Sequence, residues 1–355
     1  MWIAKHAALA AVCGVAAATG AAEAKTIKMT AVAAPGPQVA VTKITKEFFI
    51  PEVNKRIAAS GQDFKIEWTE AYAETLAKFT EVFETVENGI AHLGAQIPPF
   101  EASKIPLEQY SSQIPFGVVD PMMMTEIDAV IHRLVPEMAK AWTTHNQINL
   151  GGSAPDGWHL ATKNPVRSVD QMNGLRIGTA GPAGEWLRGT GAVRVNTSLG
   201  YAATDIRNGV YDGALSAHSL TFAFKVHESA RHVLEVNFGV TIAVAASVNL
   251  DTWNAFPDFV KVIFSDVGKE WTVLYSNVTA KQAVTFKGLM EKAGTSFTAL
   301  PEAERKRWAA RLPNIPKQWA ERMDGQGLPG TKIVRIYMGE ARKRGVQFVR
   351  DWDKE

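Results

Sequence analysis

Aromatic and polar side chains that follow predicted strands are the residues of this chain best suited to hold a small molecule. They are Trp68, Glu70, Tyr72, Gln96 and Asp120 in the first half, and Trp158, His159, Trp186 and His218 in the second. An aromatic cage with a carboxylate suits a small cation such as an amino alcohol. Tryptophan with histidine and serine offers neutral donors to a neutral or aromatic acid. These residue types favour binding, and core packing is the competing interpretation for each ring.

Motifs that would indicate catalysis or a cofactor are absent from the sequence. There is no G-x-x-x-x-G-K-[ST] phosphate loop, no G-x-S-x-G nucleophile turn and no H-E-x-x-H metal motif. The glycines at 178–184 do not fit G-x-G-x-x-G, and His227 and His232 have no third ligand nearby. We therefore predict a protein that is not an enzyme, with no catalytic residue, no cofactor and no metal.

The composition is that of a globular protein of about two domains. Of the 355 residues, 46% are hydrophobic and 21% are charged, which excludes a disordered chain and a polytopic membrane protein. Lys and Arg number 38 against 36 Asp and Glu, so the net charge of +2 predicts no nucleic-acid partner. The single cysteine, Cys13, excludes an intramolecular disulfide.

The segment 1–24 has the pattern of a secretory signal peptide. Lys5 and His6 form a basic start, 7–19 is apolar and rich in alanine, and Ala22-Glu23-Ala24 matches an A-x-A cleavage site. We predict that the chain is exported and that the mature protein begins at about Lys25.

Alternating strands and helices predict an α/β fold. The first series favours strands at 26–32, 64–68 and 90–97, with helices at 39–59 and 76–88. This β-α-β-α-β order indicates a parallel sheet with helical crossovers. The second series favours strands at 158–162, 175–179, 193–195 and 213–216, with helices at 183–190 and 202–208.

The rest of the chain is expected to join these two units. Further strands are favoured at 232–236 and 240–249, and an unusually long helical pattern runs over 257–293 before helices at 303–312, 317–323 and 331–343. We predict a bilobed binding protein with a cleft between its lobes. Lobe I spans 25–149 with return strands at roughly 238–256, lobe II spans 150–237, and the helices of 257–355 pack on both lobes.

Several motifs, in their order and spacing, resemble one protein family. They are Glu81-Val-Phe-Glu-Thr-Val-Glu-Asn-Gly89, Ile114-Pro115-Phe116, the stretches 165–178 and 189–195, Asn208-Gly209-Val-Tyr-Asp212-Gly213, and 249–257. Together they resemble the solute-binding proteins of TRAP (tripartite ATP-independent periplasmic) transporters over nearly all of the mature chain. The resemblance implies a periplasmic-binding-protein-like fold with a long helix spanning both lobes. It also implies capture of a small organic acid, a C4-dicarboxylate or related carboxylate, in the periplasm for TRAP-type membrane permease subunits. Nothing in the sequence demands an oligomer, so we expect a monomer.

One position departs from the family pattern. Where the family carries an arginine that donates two hydrogen bonds to the solute carboxylate, this chain has Gly178. Arg176, Arg167 and Arg194 are candidate replacements. Ser216 stands where the family usually has an asparagine.

The ligand class therefore stays open on the sequence alone. An organic acid is favoured by the resemblance, and a neutral or cationic solute such as an amino alcohol is favoured by Gly178. A secreted α/β hydrolase is the alternative of another class, because a catalytic triad can assemble from distant positions. A signalling domain that senses a solute is a further alternative.

Overall fold

A computed structural model describes residues 25–355 of the chain. The predicted signal peptide, its cleavage motif and Cys13 lie outside the described residues. The eleven strands of the described part are β1 (Lys25–Val32), β2 (Phe64–Ala71), β3 (Leu93–Gln96), β4 (Gln147–Ser153), β5 (Trp158–Thr162), β6 (Arg176–Thr179), β7 (Val193–Asn196), β8 (Gly213–Ala217), β9 (His232–Glu235), β10 (Val244–Asn249) and β11 (Ser296–Ala299).

The α-helices are α1 (Ala40–Ile44), α2 (Ile50–Ala59), α3 (Val82–Glu87), α4 (Pro121–Leu134), α5 (Pro136–Thr144), α6 (Leu199–Arg207), α7 (His218–Ala223), α8 (Leu250–Ala255), α9 (Asp258–Lys292), α10 (Glu302–Arg311), α11 (Ile315–Gly325) and α12 (Gly330–Lys343). A π-helical stretch, Thr45–Phe49, joins α1 to α2. Short 3₁₀ helices span Pro98–Phe100, Pro106–Gln113, Val169–Met172, Gly181–Leu187, Val226–Glu228 and Trp352–Lys354.

The strands form two sheets, which confirms the predicted two-lobed α/β architecture. Lobe I is built on the sheet β2-β1-β3-β10-β4, in which β1 runs parallel to both β2 and β3, as the β-α-β-α-β pattern predicts. Lobe II is built on the sheet β11-β9-β5-β8-β6-β7. The strand β10 returns to lobe I and lies antiparallel between β3 and β4, so the chain crosses between the lobes more than once.

The helix α9 connects the two lobes along its length. It has 35 residues, about 52 Å at the rise of an α-helix. Near its middle, Trp271 is buried in the core of lobe I. Near its end, Phe286 stacks on Phe222 of α7 with ring centroids 4.4 Å apart. Among residues 25–355, no helix combines the length and the apolar run that crossing a membrane requires.

Several elements differ from the sequence prediction, among them the helices α4, α5 and α7, which the pattern did not indicate. The helix expected over 76–88 begins only at Val82, because the preceding residues follow the rim of lobe I, where Glu74 donates its backbone N–H to Ala34. The segment expected as a helix over 183–190 is the 3₁₀ helix Gly181–Leu187. The short strand β11 pairs in parallel with β9 within a stretch whose pattern favours helices throughout.

Candidate functional site

A cavity lies between the two lobes. Its walls come from loops and helices that follow the carboxyl ends of strands in both sheets, the usual place for ligands in α/β proteins. Pro35, Val39, Val41, Phe79, Ile97, Pro99, Phe100 and Val244 line it from lobe I. Trp158, Ala180, Ala183, Ser198, Leu199, Leu220 and Phe224 line it from lobe II, and Ser112, Thr241, Ala243 and Tyr275 close it from behind.

The wall of this cavity is apolar and carries no charge. Among residues 25–355, none of those lining it is Asp, Glu, Lys, Arg or His. Its polar groups are the hydroxyls of Ser112, Ser198, Thr241 and Tyr275 and the indole of Trp158. The indole N–H of Trp158 donates to Thr241 Oγ1 at 3.0 Å. Such a surface binds apolar atoms well, and it offers a charged group no partner of opposite charge.

Tyr275 is the most deeply buried of these polar residues, with 1% of its surface exposed. Burial is the main cause that raises the pKa of its phenol, and the nearby Asp156 carboxylate adds to the effect. The phenol is therefore neutral at physiological pH and able to donate one hydrogen bond.

The lobes touch each other at the rim of the cavity. Phe79 of lobe I packs against Tyr201 and Phe224 of lobe II, with ring centroids 6.2 Å apart in both pairs. The hydroxyl of Tyr201 donates to Glu74 Oε1 at 2.9 Å, and this bond raises the pKa of the phenol. The structure is thus closed around the cavity.

A second, more polar cavity adjoins the first and shares Pro99 and Phe100 with it. Arg194, Asn196, Arg322, Gln109 and Gln113 are among its lining residues. The two glutamines are each 3% exposed, and their amide oxygens are buried without a hydrogen-bond partner. The two cavities together offer an apolar chamber beside a polar one.

Of the ten residues predicted from the sequence to bind the solute, Trp158 is among those lining the first cavity. The other nine, all within the described part of the chain, line neither cavity. Their ligand-binding roles stay predictions, and the structure shows other partners for most of them.

Gly178 faces the interior of lobe II. A Cβ at this position would lie 2.8 Å from the ring of Tyr211 and 3.0 Å from the methyl group of Thr197. The Tyr211 ring occupies the space that a side chain at 178 would need, so an arginine cannot be accommodated there without repacking. The core of lobe II is therefore packed around a glycine at the position where the family pattern has an arginine.

None of the three candidate replacement arginines lines the first cavity. Arg176 pairs with Asp212 at 2.9 Å, and Arg167 lines neither cavity. Arg194 lines the second cavity, where its guanidinium lies 2.9 Å from Glu185. Arg194 is thus the candidate that a solute extending from the first cavity could reach.

The candidates on β2 lie outside both cavities. The indole N–H of Trp68 donates to Asn54 at 3.0 Å, and Glu70 lies 3.7 Å from the ammonium of Lys46. The hydroxyl of Tyr72 is buried without a hydrogen-bond partner, and burial, aided by Glu70, raises its pKa.

The other lobe I candidates make internal hydrogen bonds. The amide nitrogen of Gln96 donates to Gln147 at 3.0 Å and to Ser247 at 2.9 Å inside the sheet. Asp120 caps the start of α4 by accepting from the backbone N–H of Met123 at 2.7 Å. Both arrangements stabilise local structure.

The lobe II candidates are also engaged within the lobe. The indole N–H of Trp186 donates to the carbonyl oxygen of Ser112 at 2.7 Å, so Trp186 supports the cavity wall from behind. Ser216 accepts from the hydroxyl of Thr221 at 2.9 Å. Both residues are buried.

His159 and His218 form a stacked pair with ring centroids 4.2 Å apart. His218 Nε2 lies 3.0 Å from Glu235, which also accepts from Lys287 at 2.7 Å. Burial, together with the charge of His218, lowers the pKa of His159 to about 3. His159 Nδ1 accepts from the backbone N–H of Asn237, which fixes the neutral tautomer.

Phe79, Phe224 and Thr241 line the cavity but were not among the predicted site residues. The sequence places Phe79 on the apolar face of a predicted helix, whereas it lies in the loop before α3 and is free to reach across to lobe II.

Two lobes that close around a cavity at the carboxyl ends of their strands define a binding protein that captures a small molecule between its lobes. Residues 55–322 match the family model described as bacterial extracellular solute-binding protein, family 7. The chain therefore belongs to this family, which is that of the TRAP solute-binding proteins. The family consists of solute-binding transport proteins rather than enzymes.

Solved structures of TRAP solute-binding proteins share the fold of this chain. One, from Rhodoferax ferrireducens T118 in complex with copurified benzoate, has a TM-score of 0.78 at 17% identity, covering 89% of this chain and 98% of its own. Another, from a marine metagenome and specific for aromatic acid ligands, was solved with 3-hydroxybenzoate. Its TM-score is 0.77 at 17% identity, and the match covers 91% of this chain and 100% of that one. A Bordetella pertussis receptor binding pyroglutamic acid has a TM-score of 0.76 at 18% identity, and the match covers 88% of this chain and 99% of that one. No curated protein sequence matches the chain.

Proposed function

We propose that this chain is the exported, periplasmic solute-binding protein of a TRAP transporter, and that it captures a small organic acid with a largely apolar body. The apolar body lies in the first cavity, and the carboxylate points past Pro99 and Phe100 toward Arg194. The membrane subunits of the transporter receive the solute from the closed protein. The observation that carries this proposal is the uncharged, mostly apolar wall of the inter-lobe cavity.

The free energy of burying charge sets the orientation of the solute. A carboxylate enclosed without a cation or several donors costs several kcal/mol or shifts toward its neutral form. The first cavity offers hydroxyls and one indole but no charged group, whereas Arg194 and Arg322 line the second. Structural relatives bind benzoate and 3-hydroxybenzoate, which have the shape expected here: an apolar ring bearing one carboxylate.

A neutral apolar solute is the second candidate. It is favoured because Glu185 lies 2.9 Å from the Arg194 guanidinium and already compensates its charge. A cationic solute such as an amino alcohol has less support, since no carboxylate lines the first cavity within residues 25–355.

Matched pairs of acids and neutral analogues test the proposal. Thermal unfolding of residues 25–355 is measured with benzoate against benzyl alcohol, with short aliphatic acids against their alcohols, and with dicarboxylates and amino alcohols. A ligand at 100 times its Kd stabilises by about 2.7 kcal/mol, which raises Tm by several degrees. We expect monocarboxylates with apolar bodies to stabilise the protein most.

The variant Arg194→Gln distinguishes the two candidates. It is expected to weaken binding of the best acid by about tenfold or more and to leave a neutral ligand unaffected. Arg188→Gln is the matched control, because Arg188 also contacts Glu185, at 3.2 Å, but lines neither cavity. Equal affinity of acids for both variants would overturn the role of Arg194, and stabilisation by amino alcohols alone would overturn the organic-acid class.

A further inference from the structure

Three potential metal ligands meet in lobe I at a distance from the solute cavity. Glu108 comes from the 3₁₀ helix Pro106–Gln113, and Asp128 and His132 lie one turn apart on α4. One ligand atom from each lies within 4.8 Å of the others. None of the three lines either cavity described above.

The spacing of these atoms is close to that of a metal coordination shell. His132 Nε2 lies 3.3 Å from Glu108 Oε1 and 3.8 Å from Asp128 Oδ1. Ligand atoms in a tetrahedral zinc site with bonds of about 2.0–2.1 Å lie about 3.3 Å apart. Small rotations of the side chains would therefore bring all three atoms to one ion.

The imidazole atom that faces the carboxylates lacks a hydrogen bond. His132 Nε2 is buried, and its alignment with Glu108 is too poor for a hydrogen bond despite the short separation. An ion placed between His132 and the two carboxylates would give this nitrogen and both carboxylate oxygens a common partner.

Each carboxylate is oriented by a buried donor, as the ligands of metal sites usually are. The indole N–H of Trp142 donates to Glu108 Oε1 at 2.6 Å, and the hydroxyl of Tyr110 donates to Asp128 Oδ1 at 2.8 Å. Glu108 and Asp128 are 2% and 3% exposed, so their positions are fixed by packing.

A groove gives access to the cluster from outside. Asp128, His132 and Lys269 are among the residues that line it. Gly152 lies at its base, and a Cβ there would come within 3.0 Å of Asp128 Oδ2. The glycine therefore leaves the second oxygen of Asp128 room for a ligand.

We propose that Glu108, Asp128 and His132 form a binding site for one divalent transition-metal ion such as Zn²⁺. Imidazole with two carboxylates suits such ions, and a water from the groove completes the tetrahedral shell. Two carboxylates balance the charge of the ion, which links the 3₁₀ helix to α4. The proposal is independent of the solute and of the proposed function.

Isothermal titration of tag-free, chelator-treated residues 25–355 with Zn²⁺ tests it. We expect one saturable site per chain, with little heat from Mg²⁺, because Mg²⁺ prefers an all-oxygen shell. His132→Gln is expected to weaken Zn²⁺ binding at least 100-fold. His145→Gln is the matched control, since His145 contacts the single carboxylate of Glu87 at 2.8 Å, and it should bind Zn²⁺ as the unmodified chain does.

Spectroscopy keeps the test informative if a variant folds poorly. Co²⁺ added to the unmodified chain should give the intense visible absorption of a four-coordinate site, and Zn²⁺ should displace it stoichiometrically. Circular dichroism of each variant establishes that it is folded. The absence of a saturable 1:1 site in the unmodified chain, or equal affinity in folded His132→Gln, would overturn the proposal and leave the cluster as an ion-pair network.

Discussion

Gly181 of lobe II and Pro99 of lobe I, which both line the second cavity, lie directly against each other between the lobes. A Cβ at position 181 would overlap the carbonyl oxygen of Pro99, and Gly181 has a φ of 53°, which disfavours other residues. Separation of the lobes would break this contact, so we expect the identity of residue 181 to control how closely the lobes approach.

The substitution Gly181→Ala is therefore expected to hold the lobes apart. We predict at least a tenfold loss of solute affinity and a larger radius of gyration in the presence of solute, measured by small-angle scattering. Gly174→Ala is the control, because Gly174 also has positive φ, 80°, but nothing lies within 4 Å of its added Cβ. Both variants share a strain of about 1–2 kcal/mol. Equal loss of affinity in the two variants would show that backbone strain, not closure, is responsible.

The hydrogen bond from Tyr201 to Glu74 is another inter-lobe contact, and it is expected to favour the closed form. A neutral hydrogen bond contributes about 0.5–1.5 kcal/mol, and one to a charged group somewhat more. Tyr201→Phe and Glu74→Gln should each weaken solute binding about 3- to 20-fold. The double variant should lose little beyond the larger single effect, measured as a double-mutant cycle by titration calorimetry. Additive losses would indicate that the two side chains act separately.

The packing of Gly178 against Tyr211 predicts an effect on stability rather than on binding. Gly178→Ala should lower the free energy of unfolding by about 1–3 kcal/mol by overpacking, with solute affinity unchanged. Gly288→Ala, near the end of α9 with open space around it, should instead stabilise by about 0.5–1 kcal/mol. Urea denaturation measures both. A change in affinity without a change in stability would place residue 178 at the solute and contradict the packing account.

Acid destabilisation is predicted from the buried His159. Its folded pKa is about 3, below the ordinary value of 6.5, so between these values the unfolded chain binds a proton that the folded protein does not. Stability should therefore fall as pH drops from 6.5, by about 2 kcal/mol at pH 5 from this group.

The variant His159→Asn isolates this contribution, because an asparagine oxygen can accept from Asn237 as Nδ1 does. Its unfolding free energy, measured by urea denaturation from pH 7 to pH 5, should fall less steeply than that of the unmodified chain. His232→Asn, which alters a surface histidine bonded to Ser296, should keep the original slope. Parallel pH profiles for His159→Asn and the unmodified chain would contradict the explanation.

Local patterns of residues made the architecture predictable. Strands β1, β2 and β3 and the long helix α9 have strong periodicity, and parallel pairing in lobe I follows from their order. The short 3₁₀ helices and β11 lack such signals, because tertiary contacts decide their conformation.

The solute cavity was less predictable than the fold. Positions on strand ends suggested Trp158, but Phe79 and Phe224 come together only through the approach of two lobes far apart in sequence. An isolated position at a strand end does not reveal which face it occupies once the strand is paired. Trp68 and Gln96 follow the predicted pattern, yet they bond to Asn54 and Gln147 instead.

The most direct measurement is a crystal structure of residues 25–355 with the best-stabilising solute bound. Its apolar body is predicted to contact Phe79, Trp158 and Phe224, with its carboxylate directed toward Arg194. In Ala180→Trp, which fills part of the cavity from a half-buried position in its wall, the same solute should bind at least tenfold more weakly. Ala139→Trp, at an exposed position on α5, should bind it normally. A solute bound elsewhere, or held by Arg176 with the inter-lobe cavity left open to water, would contradict the account.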